Sequence, residues 1–353
     1  MRDFDLNWQR SKYEAGWGAI SWPKAYGGGG LSLVQQMIWF EEAARAGAPG
    51  VGSLNVALTH AGPTLIEFAA DEQKAFHLPK ILKGELIWCQ GFSEPGAGSD
   101  LGGLKTRAII DGDHLVVSGQ KIWTSHAQHA VYQEMLVRTD ATLGKHKGIT
   151  WLICDMRSPG ITIRPIDTLA GDQHYCEVFY DEVRIPLANV VGDLHGGWRV
   201  AMGTLTAERG GMAANQAFEA AHAIERLVEL AETRVGENGR PMIRNEAIAS
   251  RLMEHRAEGA ALCAMVYAAL SRAGRDEAAG PESAMASLYF GELLQRLRIT
   301  AMDVLGNGAV ELDGEGDWAR KFLFDRMYVI AGGTAEIRRN IIAERILGLP
   351  RSY

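Results

Sequence analysis

The chain has 353 residues, 47% of them hydrophobic and 22% charged, which allows two or three domains with a large core. A formal charge of −7 without Lys/Arg runs argues against nucleic acid or an anionic membrane surface as the main partner. No apolar run is long enough to span a bilayer, and the N-terminus resembles neither a signal nor a transit peptide, so we expect a cytoplasmic protein. The four cysteines are scattered without a CxxC pair, so we predict neither a disulfide framework nor a metal site.

Residues 1–87 are predicted to form an N-terminal helical domain. The glycine-rich run at 22–30 (WPKAYGGGG) is predicted to be a loop. Apolar residues then recur at helical spacing between Leu31 and Ala43, and 71–81 indicates another helix.

Residues 88–192 are predicted to form a β domain. Residues 108–110 and 114–117 flank the turn Asp-Gly-Asp at 111–113, a pattern typical of a tight hairpin. Further strands are predicted at 131–137, 149–153, 161–163 and 177–180. Gly and Asp separate these strands at short intervals, which favours a small barrel or sandwich.

Residues 193–353 are predicted to form a C-terminal helical bundle. The amphipathic segments lie at 198–235, 245–273, 282–307, 318–330 and 334–347. Long helices with short breaks between them are typical of antiparallel packing. The succession of helices, strands and helices predicts an α+β fold.

Residues 91–100 (GFSEPGAGSD) form the most informative segment of the chain. Four small residues at 96–99 follow Pro95 and stand directly before Asp100. Glycines at this density let the backbone approach a ligand closely and offer several N–H donors. Ser93 and Ser99 add hydroxyls, so the segment suits a phosphate or a polar ring edge. The alternative is an ordinary surface turn.

Four separated motifs resemble those of the acyl-CoA dehydrogenase family. Residues 91–100, continued by Gly103, are similar to its flavin-binding signature, and 119–125 (GQKIWTS) to its second flavin segment. Residues 22–30 resemble its early Trp-Pro-x-x-Tyr-Gly-Gly loop. Residues 332–345 (GGTAEIRRNIIAER) resemble its C-terminal segment. The resemblance extends over nearly the whole chain.

The resemblance implies an FAD-dependent enzyme with a helical N-terminal domain, a β middle domain and a C-terminal four-helix bundle. Such an enzyme converts an acyl-CoA thioester to the trans-2-enoyl-CoA. A carboxylate removes the α proton while hydride leaves the β carbon for the flavin. The expected electron acceptor is an electron-transferring flavoprotein. The expected assembly is a homodimer, a homotetramer or a heteromer with a related subunit.

The resemblance also implies which residues contact FAD. Trp123 would lie against the flavin and Ser125 would donate to the ring edge, although core packing is the ordinary alternative for such a tryptophan. Phe92 and Ser93 correspond to flavin-ring contacts. Ser99 corresponds to a contact with the cofactor pyrophosphate, and we expect it near the substrate as well.

Thr334 and Glu336 would contact the flavin from the start of the last helix, where N–H groups face a ligand. Asp100 is a further candidate, with turn stabilisation as the alternative role.

The resemblance places the catalytic base at Glu208. The larger branch of the family has a Glu directly before Gly-Thr in the C-terminal segment, but this chain has Gly332 there. A second branch, including isovaleryl and long-chain dehydrogenases, carries a Glu followed by Arg in a bundle helix, which matches Glu208 and Arg209. A bound acyl chain would desolvate this carboxylate and raise its pKa. Arg209 is expected to order the site and contact substrate. The alternative for Glu208 is an exposed, ion-paired helix residue.

Two segments depart from the family pattern. Many members have Arg-x-x-Phe-Gly and Gln-x-x-Gly-Gly-x-Gly segments that hold the adenine half of FAD across a dimer interface. This chain has RVGENG at 234–239 and MDVLGNG at 302–308. The alternative function is therefore a non-catalytic or half-site subunit of a heteromeric complex. A third is an oxidase whose reduced flavin reacts with oxygen.

The C-terminal tail looks most like those of actinobacterial and related bacterial members. Some of those act on steroid side chains or other bulky acyl-CoAs, and some assemble from two unlike subunits. The N-terminus looks short, because relatives usually carry additional helix before the Trp-Pro loop.

Overall fold

The computed structural model describes residues 2–273 and 282–350, apart from the side chains of 208–212, 273, 282, 283 and 315. Contacts divide the chain into two compact units. The first comprises Met1–Ser32 and Pro49–Arg209, and the second comprises Leu33–Ala48 and Gly210–Tyr353. Helices precede and follow a β-sheet along the chain, so the predicted α+β class is confirmed.

Helices α1 (Arg2–Glu14), α3 (Gly62–Phe68) and α4 (Asp71–Leu82) belong to the first unit, and a π-helical turn, Val56–Ala61, runs directly into α3. The predicted loop at 22–30 contains one short 3₁₀ turn and is anchored by Trp22. The buried indole of Trp22 donates to the Leu58 carbonyl at 3.0 Å. A Cβ on Gly62 would lie 1.8 Å from this ring, so only glycine fits there.

A single eight-stranded sheet follows in the first unit. Its strands are β1 (Trp88–Gly91), β2 (Arg107–Asp111), β3 (His114–Ser125), β4 (Tyr132–Arg138), β5 (Ile149–Asp155), β6 (Ile161–Ile166), β7 (Tyr175–Pro186) and β8 (Val190–Val191). Their spatial order is β6-β7-β3-β2-β4-β5-β8, and β1 pairs in parallel with β4. The predicted hairpin is confirmed as β2–β3, where Asp111 pairs with His114 and Gly112 takes a positive φ in the turn.

The second unit is helical, with a core formed by the apolar faces of its helices. Its helices are α2 (Leu33–Arg45), most of α5 (Gly197–Thr233), α6 (Glu246–Ala273), α7 (Glu282–Leu305), α8 (Trp318–Phe324) and α9 (Ala335–Ile341). The α-helical parts of the last two are shorter than predicted, because α8 passes into a 3₁₀ turn, Asp325–Val329, and α9 into a π turn, Ile342–Ile346. Within the described ranges, no helix has the length and apolarity that a bilayer span requires.

Candidate cofactor site and candidate base

The two glycine-containing motifs of the first unit, 91–100 and 119–125, are in direct contact. The Ile122 N–H donates to the Ser93 carbonyl at 3.0 Å. The Lys121 ammonium donates to the Phe92 carbonyl, also at 3.0 Å. These bonds bring Phe92 and Ser93 beside the strand segment that carries Trp123.

The glycines of the first motif have two different roles. A Cβ on Gly91 would lie 2.5 Å from Gln133 Cδ, so this glycine allows β1 to pack against β4. A Cβ on Gly96 or Gly98 would meet nothing within 4 Å, so these two keep open backbone at the surface. A depression of about 270 Å³ lies beside this open stretch, bordered by the motif and by Gly119 and Gln120.

Trp123 is presented outward by an irregular stretch of β3. The β3–β7 register shifts between Lys121 and Thr124, and Trp123 adopts φ 61°. Bulges of this kind re-aim side chains and are common beside active sites. The indole is 57% exposed and contacts the Tyr175 ring edge-to-face at 6.0 Å between centroids. A large aromatic surface is therefore held open to solvent in a conformation that is costly for a non-glycine residue.

The residues next to Trp123 differ in what they offer a ligand. Thr124 is fully buried, and the described residues supply no hydrogen-bond partner for its hydroxyl. Ser125 is half-buried and pairs with Tyr175 across to β7. Its position beside the aromatic pair suits the predicted ring-edge contact.

The other predicted contacts in the first motif also differ in exposure. The Phe92 side chain is 3% exposed and packs in the core, so a ligand would meet only its backbone. Ser99 is exposed at the open end of the motif. Asp100 is exposed and its carboxylate pairs with the Lys145 ammonium at 2.7 Å.

A buried ion pair lies behind these surface residues. Lys121 Nζ is 2.8 Å from Glu94 Oε1, and both side chains are almost inaccessible to solvent. Glu94 also accepts from the backbone N–H groups of Lys105 at 2.6 Å and Thr106 at 2.9 Å. Burial raises the pKa of Glu94, but the Lys121 charge and these hydrogen bonds lower it by more, so the pKa lies below its usual value. Burial lowers the pKa of Lys121 to about 8 despite the opposing effect of Glu94.

A second buried polar cluster joins the π-helical turn to the sheet. Gln90 Nε2 on β1 donates to Glu134 Oε1 on β4 at 2.8 Å. His60 Nδ1 lies 3.0 Å from Gln90 Nε2 and 3.3 Å from the same carboxylate oxygen. Glu134 is completely buried. Single π turns inside helices are frequent at functional sites.

The backbone of the candidate base, Glu208, lies in α5. The side chains of Glu208 and Arg209 lie outside the described residues. One helical turn earlier, the Thr204 hydroxyl is 2.8 Å from the Thr64 hydroxyl on α3, and Thr64 donates to the His60 carbonyl. Glu208 comes four residues after Thr204 in the same helix.

The remaining predicted contacts belong to the second unit. The Thr334 hydroxyl caps α9 by accepting from the Ile337 N–H at 3.3 Å. Glu336 is exposed, and its own backbone N–H and Thr334 lower its pKa. Gly332 and Gly333 before them have positive φ, which suits glycine there.

The two segments that depart from the family pattern contact each other within the second unit. Arg234 Nη2 donates to the Leu305 carbonyl at 3.1 Å. A Cβ on Gly308 would lie 2.8 Å from the same nitrogen. The guanidinium of Arg234 is therefore used to join these segments of its own chain.

Five residues of these buried clusters were not recognised as functional from the sequence: His60, Gln90, Glu94, Lys121 and Glu134. Glu94 and Lys121 lie inside the two motifs, and a charged residue amid small and apolar neighbours is the signal that could have found them. His60 and Glu134 are distant in sequence and carry no local signal.

Comparison with known proteins gives a consistent result. Family models of acyl-CoA dehydrogenase match at residues 2–85 (N-terminal domain), 89–183 (middle domain) and 195–347 (C-terminal domain). Acyl-CoA dehydrogenase IpdE1 of Mycobacterium tuberculosis is 40% identical over 98% of this chain and 88% of its own length. Acyl-CoA dehydrogenase FadE26 of the same organism is 36% identical over 96% of this chain and 86% of its own length.

Solved structures agree with these sequence relatives. The Tcur3481-Tcur3483 steroid ACAD superimposes with a TM-score of 0.88 and 32% identity, covering 99% of this chain and 89% of that one. The ChsE4-ChsE5 complex from Mycobacterium tuberculosis gives a TM-score of 0.86 and 33% identity, with 99% and 90% coverage.

Proposed function

Because this chain belongs to the acyl-CoA dehydrogenase family of oxidoreductases, whose members depend on FAD, we propose that it binds FAD and desaturates an acyl-CoA thioester between its α and β carbons. Glu208 is the proposed base, and an electron-transferring flavoprotein is the proposed acceptor. The observation that carries this proposal is the contact between residues 91–100 and 119–125, two segments that offer open backbone at Gly96 and Gly98 and the exposed ring of Trp123.

The residues of the first unit fit a flavin. A flavin combines a flat aromatic ring with polar edges, and Trp123 offers a flat surface that excludes water. The Ser93 carbonyl is bonded to Ile122, the residue before Trp123, and among the described residues the Ser93 N–H donates to no acceptor. Ser125 and the open backbone at Gly96 and Gly98 supply further donors, of which the latter suit a pyrophosphate.

The protein's contribution to the reaction is positioning and acidity control. A bound flavin supplies the hydride acceptor. Glu208 would hold the α proton after removing it, and a desolvated carboxylate is a stronger base for this purpose. The Thr64–Thr204 bond fixes the turn of α5 that precedes Glu208, and Arg209 is proposed to order the bound thioester. Ser99 is a further proposed cofactor and substrate contact in the first unit. Thr334 and Glu336 are the proposed cofactor contacts of the second unit.

The test of the base is Glu208→Gln, with Glu229→Gln as the matched control. Glu229 is an exposed residue on the same helix, so its substitution changes the same charge away from the proposed site. We expect Glu208→Gln to keep the visible flavin spectrum and to lose about 10²- to 10⁴-fold in turnover with an artificial acceptor. Full turnover in Glu208→Gln would overturn the assignment.

A second candidate is a subunit that completes its flavin site with an unlike partner. Arg234, the residue nearest to the family's interface arginine, is bonded to Leu305 of its own chain, and two of the structural relatives are named as pairs of unlike proteins. One of these is named a steroid ACAD, so we propose a bulky, steroid-type acyl-CoA as substrate.

Purification separates the two candidates. A yellow protein that is bleached by acyl-CoA under anaerobic conditions favours a self-sufficient enzyme. A colourless protein that gains flavin on co-expression with a related subunit favours the second candidate. Peroxide formation without an added acceptor would instead indicate an oxidase. Straight, branched and steroid-derived acyl-CoAs should be compared in the bleaching assay.

A further inference from the structure

We propose that Lys121 is a positioning residue for the flavin: its buried ammonium, held by Glu94, orients the Phe92–Ser93 peptide so that the Ser93 N–H faces the ligand. This inference rests on the flavin-binding part of the proposed function. It assigns a role to two motif residues that the proposed reaction does not use.

The first step concerns peptide geometry. The C=O and N–H of a trans peptide point in opposite directions, and the described chain contains no cis peptide. Lys121 Nζ donates to the Phe92 carbonyl at 3.0 Å from a fully buried position. The N–H of the same peptide, which belongs to Ser93, therefore points away from the buried ammonium.

The second step concerns the other side of Ser93. The Ser93 carbonyl accepts from the Ile122 N–H at 3.0 Å, so both peptides that flank Ser93 are fixed by consecutive residues of β3. The next residue, Trp123, turns outward with φ 61°. Residues 121–123 thus both fix the Ser93 amide and carry the indole. The position of the amide relative to the indole is therefore set by one short segment.

The third step concerns the charge. A cation that hydrogen-bonds a carbonyl polarises the peptide, which strengthens the N–H as a donor. An isolated buried ammonium would be very costly, but Glu94 compensates it at 2.8 Å. The ammonium itself makes two contacts, to Phe92 and Glu94, and the Glu94 carboxylate is in turn held by the N–H groups of Lys105 and Thr106.

If the Lys121–Glu94 pair only stabilised the fold, an arrangement without buried charges would cost less free energy. Apolar side chains of similar volume often replace a buried ion pair without loss of stability. The Phe92 carbonyl, however, needs a donor at this depth, and no apolar side chain supplies one. The pair is therefore matched to the orientation of one peptide next to the proposed ligand.

The experiment compares Lys121→Met, Glu94→Gln and a control, Gln9→Met. Methionine is close to lysine in length but cannot donate to Phe92. Glu94→Gln keeps an acceptor for Lys121 and leaves the bond to Phe92. Gln9 is a buried residue of the same unit whose amide donates to the Gly18 and Leu82 carbonyls, so Gln9→Met also deletes buried hydrogen bonds.

Three quantities are measured for each protein: the thermal midpoint of the flavin-free form, the FAD dissociation constant by fluorescence titration, and the absorption spectrum of bound FAD. We expect Lys121→Met to weaken FAD binding about 10- to 100-fold and to shift the spectrum. Glu94→Gln should cause a smaller change of the same kind, and Gln9→Met should lower the midpoint while leaving affinity and spectrum unchanged.

The outcomes distinguish the two proposals. Wild-type affinity and spectrum in Lys121→Met would overturn the positioning role while leaving the proposed function intact. Equal losses of affinity in Lys121→Met and Gln9→Met at equal losses of midpoint would also overturn it. No FAD binding by the wild-type protein would contradict the proposed function itself. Should Lys121→Met not fold, an unchanged affinity and spectrum in Glu94→Gln would overturn the proposal.

Discussion

Trp123 provides a direct test of whether the exposed aromatic surface serves a ligand or the fold. An L-residue in the left-handed region costs about 1–2 kcal/mol, and Trp123 has φ 61°. Its edge-to-face contact with Tyr175 stabilises the folded state by about 0.5–1.5 kcal/mol. Because the indole is 57% exposed, little further stabilisation depends on it. The side chain thus contributes close to nothing to the stability of the flavin-free protein.

We predict that the usual order of stability is reversed at this position, so that the glycine variant is more stable than the alanine variant. Trp123→Gly loses the ring contact and about 0.5–1 kcal/mol through the entropy of the unfolded chain, but it relieves the strain. Its free energy of unfolding should stay within about 1 kcal/mol of wild type. Trp123→Ala keeps the strain and loses the contact, so it should be less stable than Trp123→Gly.

Urea unfolding of the flavin-free variants measures these differences, and a spectroscopic titration measures FAD affinity. Ile109 is the control position, because it is 58% exposed on β2 and is not among the residues with positive φ. Ile109→Gly should be less stable than Ile109→Ala, as is usual in a strand. Both Trp123 variants should bind FAD more weakly than wild type. A loss above about 2 kcal/mol in Trp123→Gly would refute the reasoning, because the indole would then support the fold.

Two further predictions concern the first unit. Burial lowers the pKa of His77 to about 4, so unfolding takes up a proton between pH 6.5 and 4 and stability falls as the pH is lowered through that range. From pH 6.5 to 5 the loss is about 1.5 kcal/mol, and urea unfolding of His77→Phe should lack it; an unchanged pH slope would contradict the assignment. Thr204→Val deletes the hydroxyl pair one turn before Glu208, so turnover should fall with flavin content unchanged and stability reduced by about 1 kcal/mol. Thr233→Val at the far end of the helix should leave turnover unchanged, and equal turnover in both variants would argue against a positioning role for Thr204.

Local patterns predicted the elements of this fold well. The hairpin at 108–117 follows from two short apolar stretches around an Asp-Gly turn, and all of that information lies within ten residues. The parallel pairing of β1 with β4 could not be predicted in the same way. The two strands are joined through a long stretch of chain, and their register depends on packing such as that of Gly91 against Gln133.

In the candidate site, too, local features could be predicted from the sequence and contacts between distant residues could not. The sequence identified both motifs but gave no sign that Glu94 of one pairs with Lys121 of the other. The two residues are 27 positions apart, and Lys121 lies on β3, where it pairs with Val178 on β7, a strand about fifty residues later in the chain. Charges that compensate each other in the core carry no periodic signal, because each is stabilised by a partner from elsewhere.

The choice between a self-sufficient enzyme and a half-site subunit depends on Arg234. If the family's interface arginine reaches a neighbour's cofactor, its counterpart must be free to leave its own chain. Here the guanidinium donates to the Leu305 carbonyl and lies against Gly308, so reaching outward would break a bond to a charged group. A second copy of this chain would carry the same bonded arginine, so under the half-site proposal this contact would come from an unlike subunit. An unlike subunit could supply this contact. The isolated chain could then be colourless even though its first unit carries the proposed flavin-binding residues.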